Sequence, residues 1–158
     1  MPDRREHLVH ELEKGLRESI AFFKGLSTAE RKTQVYPDGA RWSVQEILAH
    51  FITIERSMHR LFKDILSGGR GSPPDFDVER FNRTQPRKLE GLDLDELIDR
   101  FRAVRTETVA IVRAMKEEDL DREGEHAFHG HGRLETFIAW AYEHARLHED
   151  DARKILKK

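Results

Sequence analysis

Residues 43–66 read SVQEILAHFITIERSMHRLFKDIL and carry an apolar stripe with the three- and four-residue spacing of an α-helix. The stripe consists of Val44, Ile47, Phe51, Ile54, Met58, Leu61 and Ile65. Ser43 and Glu46 form a capping box, because each side chain can satisfy a backbone N–H that the first helical turn leaves unpaired. Ser67-Gly68-Gly69 follows the last apolar position and favours a helix end. We therefore predict one long helix that begins after Ser43.

Three further apolar stripes have the same spacing. In chain order they consist of Leu8, Leu12, Gly15, Ser19, Phe22 and Leu26; of Leu94, Leu97, Phe101, Val104, Thr108, Ile111 and Met115; and of Leu134, Ile138, Ala141, Ala145, His148, Ala152 and Ile155. Asp93 with Glu96 can cap the third helix. Four amphipathic helices with charged outer faces bury their stripes against one another. We predict an all-α fold, a four-helix bundle formed by one domain over residues 1–158, without strand-like alternation of useful length.

The connections between the predicted helices are residues 27–42, 67–92 and 118–132. All three are longer than the roughly 2–8 residues usual between neighbouring bundle helices. The middle connection is long enough to cross the whole bundle, so that helices two and three can run parallel. It can also carry a short helical turn around Asp77 to Thr84.

Composition and charge narrow the function classes. The 158 residues have a net charge of −2 with both signs interspersed, which provides no broad basic field for nucleic acid. Arginines such as Arg100, Arg102 and Arg105 are expected on solvated helix faces. The chain has no cysteine, which excludes disulfides, thiolate metal sites and a cysteine nucleophile. No segment approaches the roughly 18 apolar residues of a membrane span, and the first residues lack the apolar core of a secretory signal. We expect a cytoplasmic protein that binds neither nucleic acid nor a membrane.

Two of the nine histidines share one helix face. His144 and His148 are four residues apart, so their rings project from the same side and can hold one cation together. His148 also occupies a position in the apolar stripe, where a buried polar ring needs a partner at a cost of roughly 1–3 kcal/mol if it has none. Small neighbours such as Ala145 and Ala152 leave room for a ligand. The same pair also fits a purely structural role, and the spacing alone does not distinguish the two.

His50 is the candidate third ligand. It lies about 10 Å along the helix from Ser43, and His148 lies about 13 Å from a helix end near Lys157, at 1.5 Å per residue. Antiparallel packing of helices two and four would therefore bring the three rings to similar depth. Three neutral imidazoles leave coordination positions open, as in catalytic zinc sites, although imidazole also suits nickel, copper and iron. A di-iron site is excluded, because no glutamate precedes these histidines by three residues.

The remaining titratable candidates have simpler interpretations. Glu46 lies one turn before His50 and could accept a hydrogen bond from it, although helix capping is the simpler explanation of Glu46. His59 is half a turn away from the His50 face, so the two cannot share a site. His7 and His10 are expected in solvent. The loop before the fourth helix contains His126, His129 and His131, which are expected in a plain surface loop, with a position at the rim of the site as the alternative.

Two segments resemble the DinB/YfiT-like superfamily. Trp42-Ser43-Val44-Gln45-Glu46-Ile47-Leu48-Ala49-His50 is similar to the motif that opens its second helix, and His144-Ala145-Arg146-Leu147-His148 is similar to its closing histidine pair. The resemblance implies a four-helix bundle with an up-down-down-up path and a homodimer. It also implies that His50, His144 and His148 bind one divalent metal ion, zinc or nickel above all. Members of the family include thiol-dependent S-transferases and isomerases, and others are described as metal-dependent hydrolases.

Three functional hypotheses follow. The first is a metal-dependent enzyme that activates a water or an external low-molecular-weight thiol toward a small-molecule substrate. The second is a non-catalytic bundle that binds metal or another ligand for sensing, storage or assembly. The third is a structural role in which the histidines satisfy one another. The sequence names no general base, since His129, His131 and Glu46 are candidates by position alone.

Overall fold

The computed structural model describes residues 3–158 and is mostly helical, which fits the all-α prediction broadly. In chain order the α-helices are α1 (Arg4–Lys24), α2 (Thr28–Arg31), α3 (Val44–Leu66), α4 (Val78–Thr84), α5 (Leu94–Ala114) and α6 (Leu134–Leu156). Single 3₁₀ turns occupy Pro86–Leu89 and Glu117–Asp121. Ser43 and Glu46 form the predicted capping box of α3, and the Asp93 side chain accepts the N–H of Glu96 at the start of α5. Among residues 3–158, no helix is both long and apolar enough to cross a membrane.

The connection before α6 contains a small antiparallel sheet, which differs from the predicted absence of strands. Strand β1 (Glu123–His126) pairs with β2 (Gly130–Arg133), with Gly124 opposite Gly132. Strands of four residues rich in glycine and charge are too short to show a period of two. Gly124 packs directly on α3, since a Cβ at this position would lie 2.7 Å from Cδ1 of Ile65. The hairpin therefore forms through tertiary packing rather than through a pattern of its own.

Contacts between α3 and α5 show that these helices run in the same direction. The Arg105 guanidinium donates to both carboxylate oxygens of Glu55 at 2.7 and 2.8 Å, and His59 Nε2 lies 2.7 Å from Thr108 Oγ1. The residue numbers therefore increase together along both helices. The long connection 67–92 carries the chain back to make this parallel pairing possible.

The remaining long helices pair through further polar contacts. Glu11 and Ser19 of α1 contact Arg146 and Glu149 of α6, so α1 and α6 run in the same direction. Helix α1 runs opposite to α5, because its beginning lies at the end of α5 while its middle meets Arg105. Helices α3 and α6 also run in opposite directions: the first half of α3 shares one apolar cluster with the second half of α6, and the end of α3 shares the other cluster with the start of α6.

A buried polar network lies between the two apolar clusters of the core. Glu55 and Arg105 form its ion pair, with side chains 3% and 1% exposed, and Thr108 Oγ1 donates to Glu55. Arg105 also donates to the backbone carbonyl of Leu12 at 2.9 Å, which ties α1 to the pair. The expectation that Arg105 lies on a solvated face is therefore wrong. The burial is tolerated because the guanidinium is paired and hydrogen-bonded.

Candidate metal centre

The structure brings His50, His144 and His148 together at one point. His144 Nε2 lies 3.3 Å from His50 Nε2 and 2.9 Å from His148 Nε2, and one nitrogen of each ring lies within 4.8 Å of the others. Zinc–nitrogen bonds of about 2.0–2.1 Å in a tetrahedral site place two nitrogens about 3.3 Å apart. The 3.3 Å separation of the His50 and His144 nitrogens matches this spacing, and the 2.9 Å separation of the His144 and His148 nitrogens is shorter.

His50 is the most deeply buried member of this cluster. It is 1% exposed, and its ring stacks on Trp42 with centroids 4.1 Å apart. Glu46 does not bond to His50; its Oε1 accepts the N–H of Ser43 at 3.0 Å, so capping accounts for this carboxylate. The Nδ1 atom of His50 has no hydrogen-bond partner within residues 3–158. The Trp42 ring thus holds the His50 imidazole by packing alone.

A hydrogen-bond chain behind His148 orients its ring. Tyr36 Oη lies 2.6 Å from His148 Nδ1 and donates to Asp151 Oδ2 at 2.7 Å. Burial and the neighbouring Asp151 raise the pKa of the Tyr36 hydroxyl, which keeps it a donor. The hydroxyl proton is used by Asp151, so the His148 Nδ1 must carry the proton that joins the two residues. The lone pair of His148 is therefore on Nε2, which faces the other two histidines.

Sequence reasoning missed Tyr36 because it lies in the connection 27–42, far from either histidine segment. Asp151 carries a weak signal, since it lies three residues after His148 on the same helix and hence close to the same face. Nothing in the sequence pairs it with a tyrosine 115 positions earlier. Only the packing of this connection against the end of α6 brings Tyr36 and His148 together.

The electrostatics of the cluster favour neutral imidazoles. Burial, followed by the neighbouring histidines, lowers the pKa of His50 well below its ordinary value. The same causes lower the pKa of His144 to about 3, and burial lowers the pKa of His148. His144 also stacks on Trp140, with centroids 4.1 Å apart and planes at 16°. At neutral pH the three rings are uncharged, which is the state in which imidazole binds a metal ion.

A cavity of about 410 Å³ reaches the cluster at His148. One side comes from the connection 27–42, including Tyr36, Arg41 and Trp42, and the other from α4, including Asn82 and Arg83. The predicted short turn around Asp77 to Thr84 is confirmed as α4 and forms this second wall. The volume of this cavity is within the range of about 300–1,000 Å³ that is typical of sites for small molecules.

The hairpin histidines have partners of their own. His131 is exposed and lies 2.7 Å from Glu125 and 3.3 Å from Glu123, and the His129 ring packs against Phe137. His126 was expected in a surface loop but is only 3% exposed. Its Nδ1 accepts the N–H groups of residues 128 and 129 at 3.1 Å, so the proton is on Nε2, which has no partner within residues 3–158.

His126 predicts an acid-sensitive contribution to stability. Burial, and then the nearby His129, lower its pKa to about 4, from 6.5. The neutral ring therefore contributes its full stabilisation above pH 6.5, and this contribution is lost as the pH falls toward 4. The loss amounts to at most about 3 kcal/mol, at 1.36 kcal/mol per pKa unit. Asparagine does not titrate and retains an acceptor near the position of Nδ1.

Urea unfolding of the wild type and the His126→Asn variant between pH 4 and pH 7.5 measures this contribution. We expect the wild type to exceed the variant in free energy of unfolding near pH 7, and the difference to shrink or reverse near pH 4. A difference that is constant with pH would show that the titration of His126 does not contribute to the acid sensitivity.

Comparisons with known proteins place this architecture in a family. A family model for the DinB superfamily matches residues 11–149. The solved structure of DfsB, described as a sibling lethal factor precursor, is similar with a TM-score of 0.76 and 17% identity, covering 99% of this chain and 97% of that one. An uncharacterized protein from Clostridium difficile 630 is similar with a TM-score of 0.72 and 15% identity, covering 99% and 98%.

The colibactin self-resistance protein ClbS, solved in complex with a dsDNA, is similar with a TM-score of 0.70 and 15% identity, covering 99% of this chain and 98% of that one. Identities this low show a shared fold alone. No curated protein matches the chain. The family model covers most of the sequence, and the resemblance seen in the segments around His50 and His144 is confirmed. This chain belongs to the DinB superfamily.

Proposed function

We propose that this protein is a metal-dependent enzyme in which His50, His144 and His148 hold one divalent ion, zinc or nickel. The observation that carries the proposal is the convergence of three neutral Nε2 atoms on one point. A single proton cannot satisfy three nitrogens that face the same point, whereas one cation accepts a lone pair from each. The donor set therefore fits a metal ion better than the purely structural role.

The surrounding residues fix the orientation of the three imidazoles. Tyr36 and Asp151 hold His148 in the tautomer whose Nε2 is free, and Trp42 and Trp140 stack on the other two rings. When bound, the ion would act as a Lewis acid that lowers the pKa of a water or a thiol occupying an open coordination position. The chain has no cysteine, so a reacting thiol would be an external small molecule. The cavity beside His148 is the proposed entry for the substrate.

Activity assays test the enzymatic part of the proposal. We expect the protein loaded with zinc or nickel to hydrolyse an ester or amide, or to consume a low-molecular-weight thiol in the presence of an electrophile. The metal-free protein should be inactive in the same assays. Inactivity of the loaded protein across both reaction types, with every coordination position filled, would contradict the proposal and favour a non-catalytic metal-binding role.

The hydrogen bond from His148 to Tyr36 gives a sharper test of the metal centre. We expect the Tyr36→Phe variant to bind the ion about 10–100-fold more weakly, because loss of an orienting partner behind a metal ligand typically has this effect. Competition with a chelator of known affinity measures the change. The matched control is Tyr142→Phe, whose ring lies on the α1 side of α6 and should leave metal affinity unchanged. Equal metal affinities of the wild type and Tyr36→Phe would exclude an orienting role for Tyr36.

We propose the up-down-down-up path for the four long helices. It is supported by the parallel pairs α3 with α5 and α1 with α6, and by the antiparallel pairs α1 with α5 and α3 with α6. The homodimer implied by the family is also a proposal, and Leu147 and Ile155 of α6 are exposed apolar side chains that a partner could cover.

DNA binding is not proposed for this chain, because its 15% identity to ClbS indicates a shared fold but not a shared ligand.

A further inference from the structure

Positive charge is concentrated in one part of this otherwise acidic chain. Between residues 56 and 88 there are eight lysines and arginines but four aspartates and glutamates, although the net charge of the whole chain is −2. These residues form the second half of α3, the connection that follows it, α4 and the 3₁₀ turn Pro86–Leu89. The surface of this segment therefore carries more positive than negative side chains, and this excess attracts anions.

A groove of about 610 Å³ lies within this surface, between α3 and the connection 71–88. Arg56, Arg60 and Lys88 line it, and none of the three forms an ion pair with a carboxylate within residues 3–158. Asp64 is the acidic residue of the lining, one turn beyond Arg60, and its Oδ2 accepts the N–H of Gly71 at 2.8 Å. The groove is thus lined by three cations, none of them in an ion pair among the described residues, and by one carboxylate.

The two arginines are placed to act together. Arg56 and Arg60 are four residues apart on α3, so their guanidinium groups project from the same face one turn apart. Lys88 joins them from the 3₁₀ turn on the opposite wall. Guanidinium groups bind phosphate oxygens through paired, charge-assisted hydrogen bonds, and lysine adds a point charge. This arrangement fits a phosphate or diphosphate group.

Aromatic side chains form another part of the groove. Phe76 and Phe81 both line it, with ring centroids 5.5 Å apart, and each remains partly exposed. Partly exposed aromatic rings offer stacking surfaces to the flat face of a nucleobase. The Gln85 amide lines the same groove and can both donate to and accept from a base edge.

We propose that this groove binds a nucleoside phosphate, with the phosphates on Arg56, Arg60 and Lys88 and the base against Phe81. The volume accommodates a ligand of this size. Helix α4 separates the groove from the cavity beside His148: Phe81 lines the groove, whereas Asn82 and Arg83 line the metal-side cavity. The inference is independent of the proposed metal chemistry.

Calorimetric titration of the full chain with ADP tests the proposal. We expect ADP to bind, adenosine to bind much more weakly, and added salt to weaken ADP binding. The double variant R56Q/R60Q should bind ADP at least about tenfold more weakly, because it removes both guanidinium groups. The matched control R100Q/R102Q removes two exposed arginines of α5 and should bind within about twofold of the wild type.

Two further variants distinguish nucleotide binding in the groove from binding elsewhere on the protein. Phe81→Leu should weaken ADP binding several-fold and leave the weak binding of inorganic phosphate unchanged, since it removes the stacking surface alone. His144→Ala lacks a proposed metal ligand and should bind ADP as the wild type does. Nucleotide binding can therefore be tested even if the proposed metal site is wrong. Equal binding by wild type and R56Q/R60Q, or equal binding of ADP and adenosine, would overturn the proposal. So would binding of a ten-nucleotide single strand without binding of ADP, which would indicate a nucleic-acid surface instead.

Discussion

Replacing His144 with alanine is expected to abolish stoichiometric metal binding. His144 Nε2 lies between the other two ligand atoms, at 3.3 Å from that of His50 and 2.9 Å from that of His148. Its loss leaves two imidazoles that cannot close the site, and the affinity should fall by more than the roughly 100-fold caused by losing an orienting partner. Elemental analysis of protein purified without a metal-affinity tag should give one divalent ion per wild-type chain and almost none per variant chain.

Thermal unfolding supplies a second measurement of the same effect. A ligand at 100 times its dissociation constant stabilises the folded state by about 2.7 kcal/mol. A chelator should therefore lower the midpoint of the wild type and leave that of His144→Ala unchanged. The matched control is His131→Ala, which removes an exposed histidine of the hairpin and should retain both the ion and the chelator response. One ion per chain in well-folded His144→Ala would show that the metal is bound elsewhere.

Replacing Glu55 with glutamine is expected to destabilise the protein strongly. The Glu55 carboxylate accepts two hydrogen bonds from Arg105 and one from Thr108, and both charged side chains are almost completely buried. Glutamine keeps the volume but leaves the guanidinium charge uncompensated, which typically costs about 3–5 kcal/mol. Urea unfolding at pH 7 measures the change in free energy.

The exposed pair of Arg113 with Glu13 provides the control for this experiment. It joins the same two helices, α1 and α5, that Arg105 joins through the Leu12 carbonyl. The variant Glu13→Gln should lose less than about 1 kcal/mol, since exposed ion pairs contribute little. A loss of similar size for Glu55→Gln would mean that water or local rearrangement compensates the buried guanidinium. Much of the stability should return in the double variant E55L/R105M, which removes both charges together.

The buried pair also shows how far helical periodicity can be trusted. Glu55 and Arg105 each follow a stripe residue, Ile54 and Val104, and so lie at the edge of an apolar face. The pattern alone predicts that both side chains are exposed to solvent, because charged residues beside an apolar stripe usually are exposed. Their burial depends on the parallel contact of α3 with α5, which places one charge opposite the other. That contact forms only when the two helices pack together, so the sequence pattern of either helix alone does not predict it.

Part of the site was predictable because it is local. His144 and His148 share a face by their spacing on one helix, and the Ser43 cap fixes the depth of His50 along another. The surroundings of the three histidines also include Trp140, which is close in sequence to His144, and Tyr36 with Asp151, which are 115 positions apart. Helical spacing cannot relate His50 to the pair His144 and His148, because they lie on different helices. The resemblance to the DinB superfamily relates them, because both segments match motifs of that family.

Local sequence patterns predict the four long helices, the caps of α3 and α5 and the histidine pair of α6, because each depends on residues within a few positions of one another. Helix packing is required for the hairpin of β1 and β2, for the burial of Arg105 and His126, and for the hydrogen-bond chain from Asp151 through Tyr36 to His148. The physical reason is the same in each case. These features depend on which surfaces meet when the helices pack, and a short glycine-rich strand or a lone charged side chain acquires its partner only there.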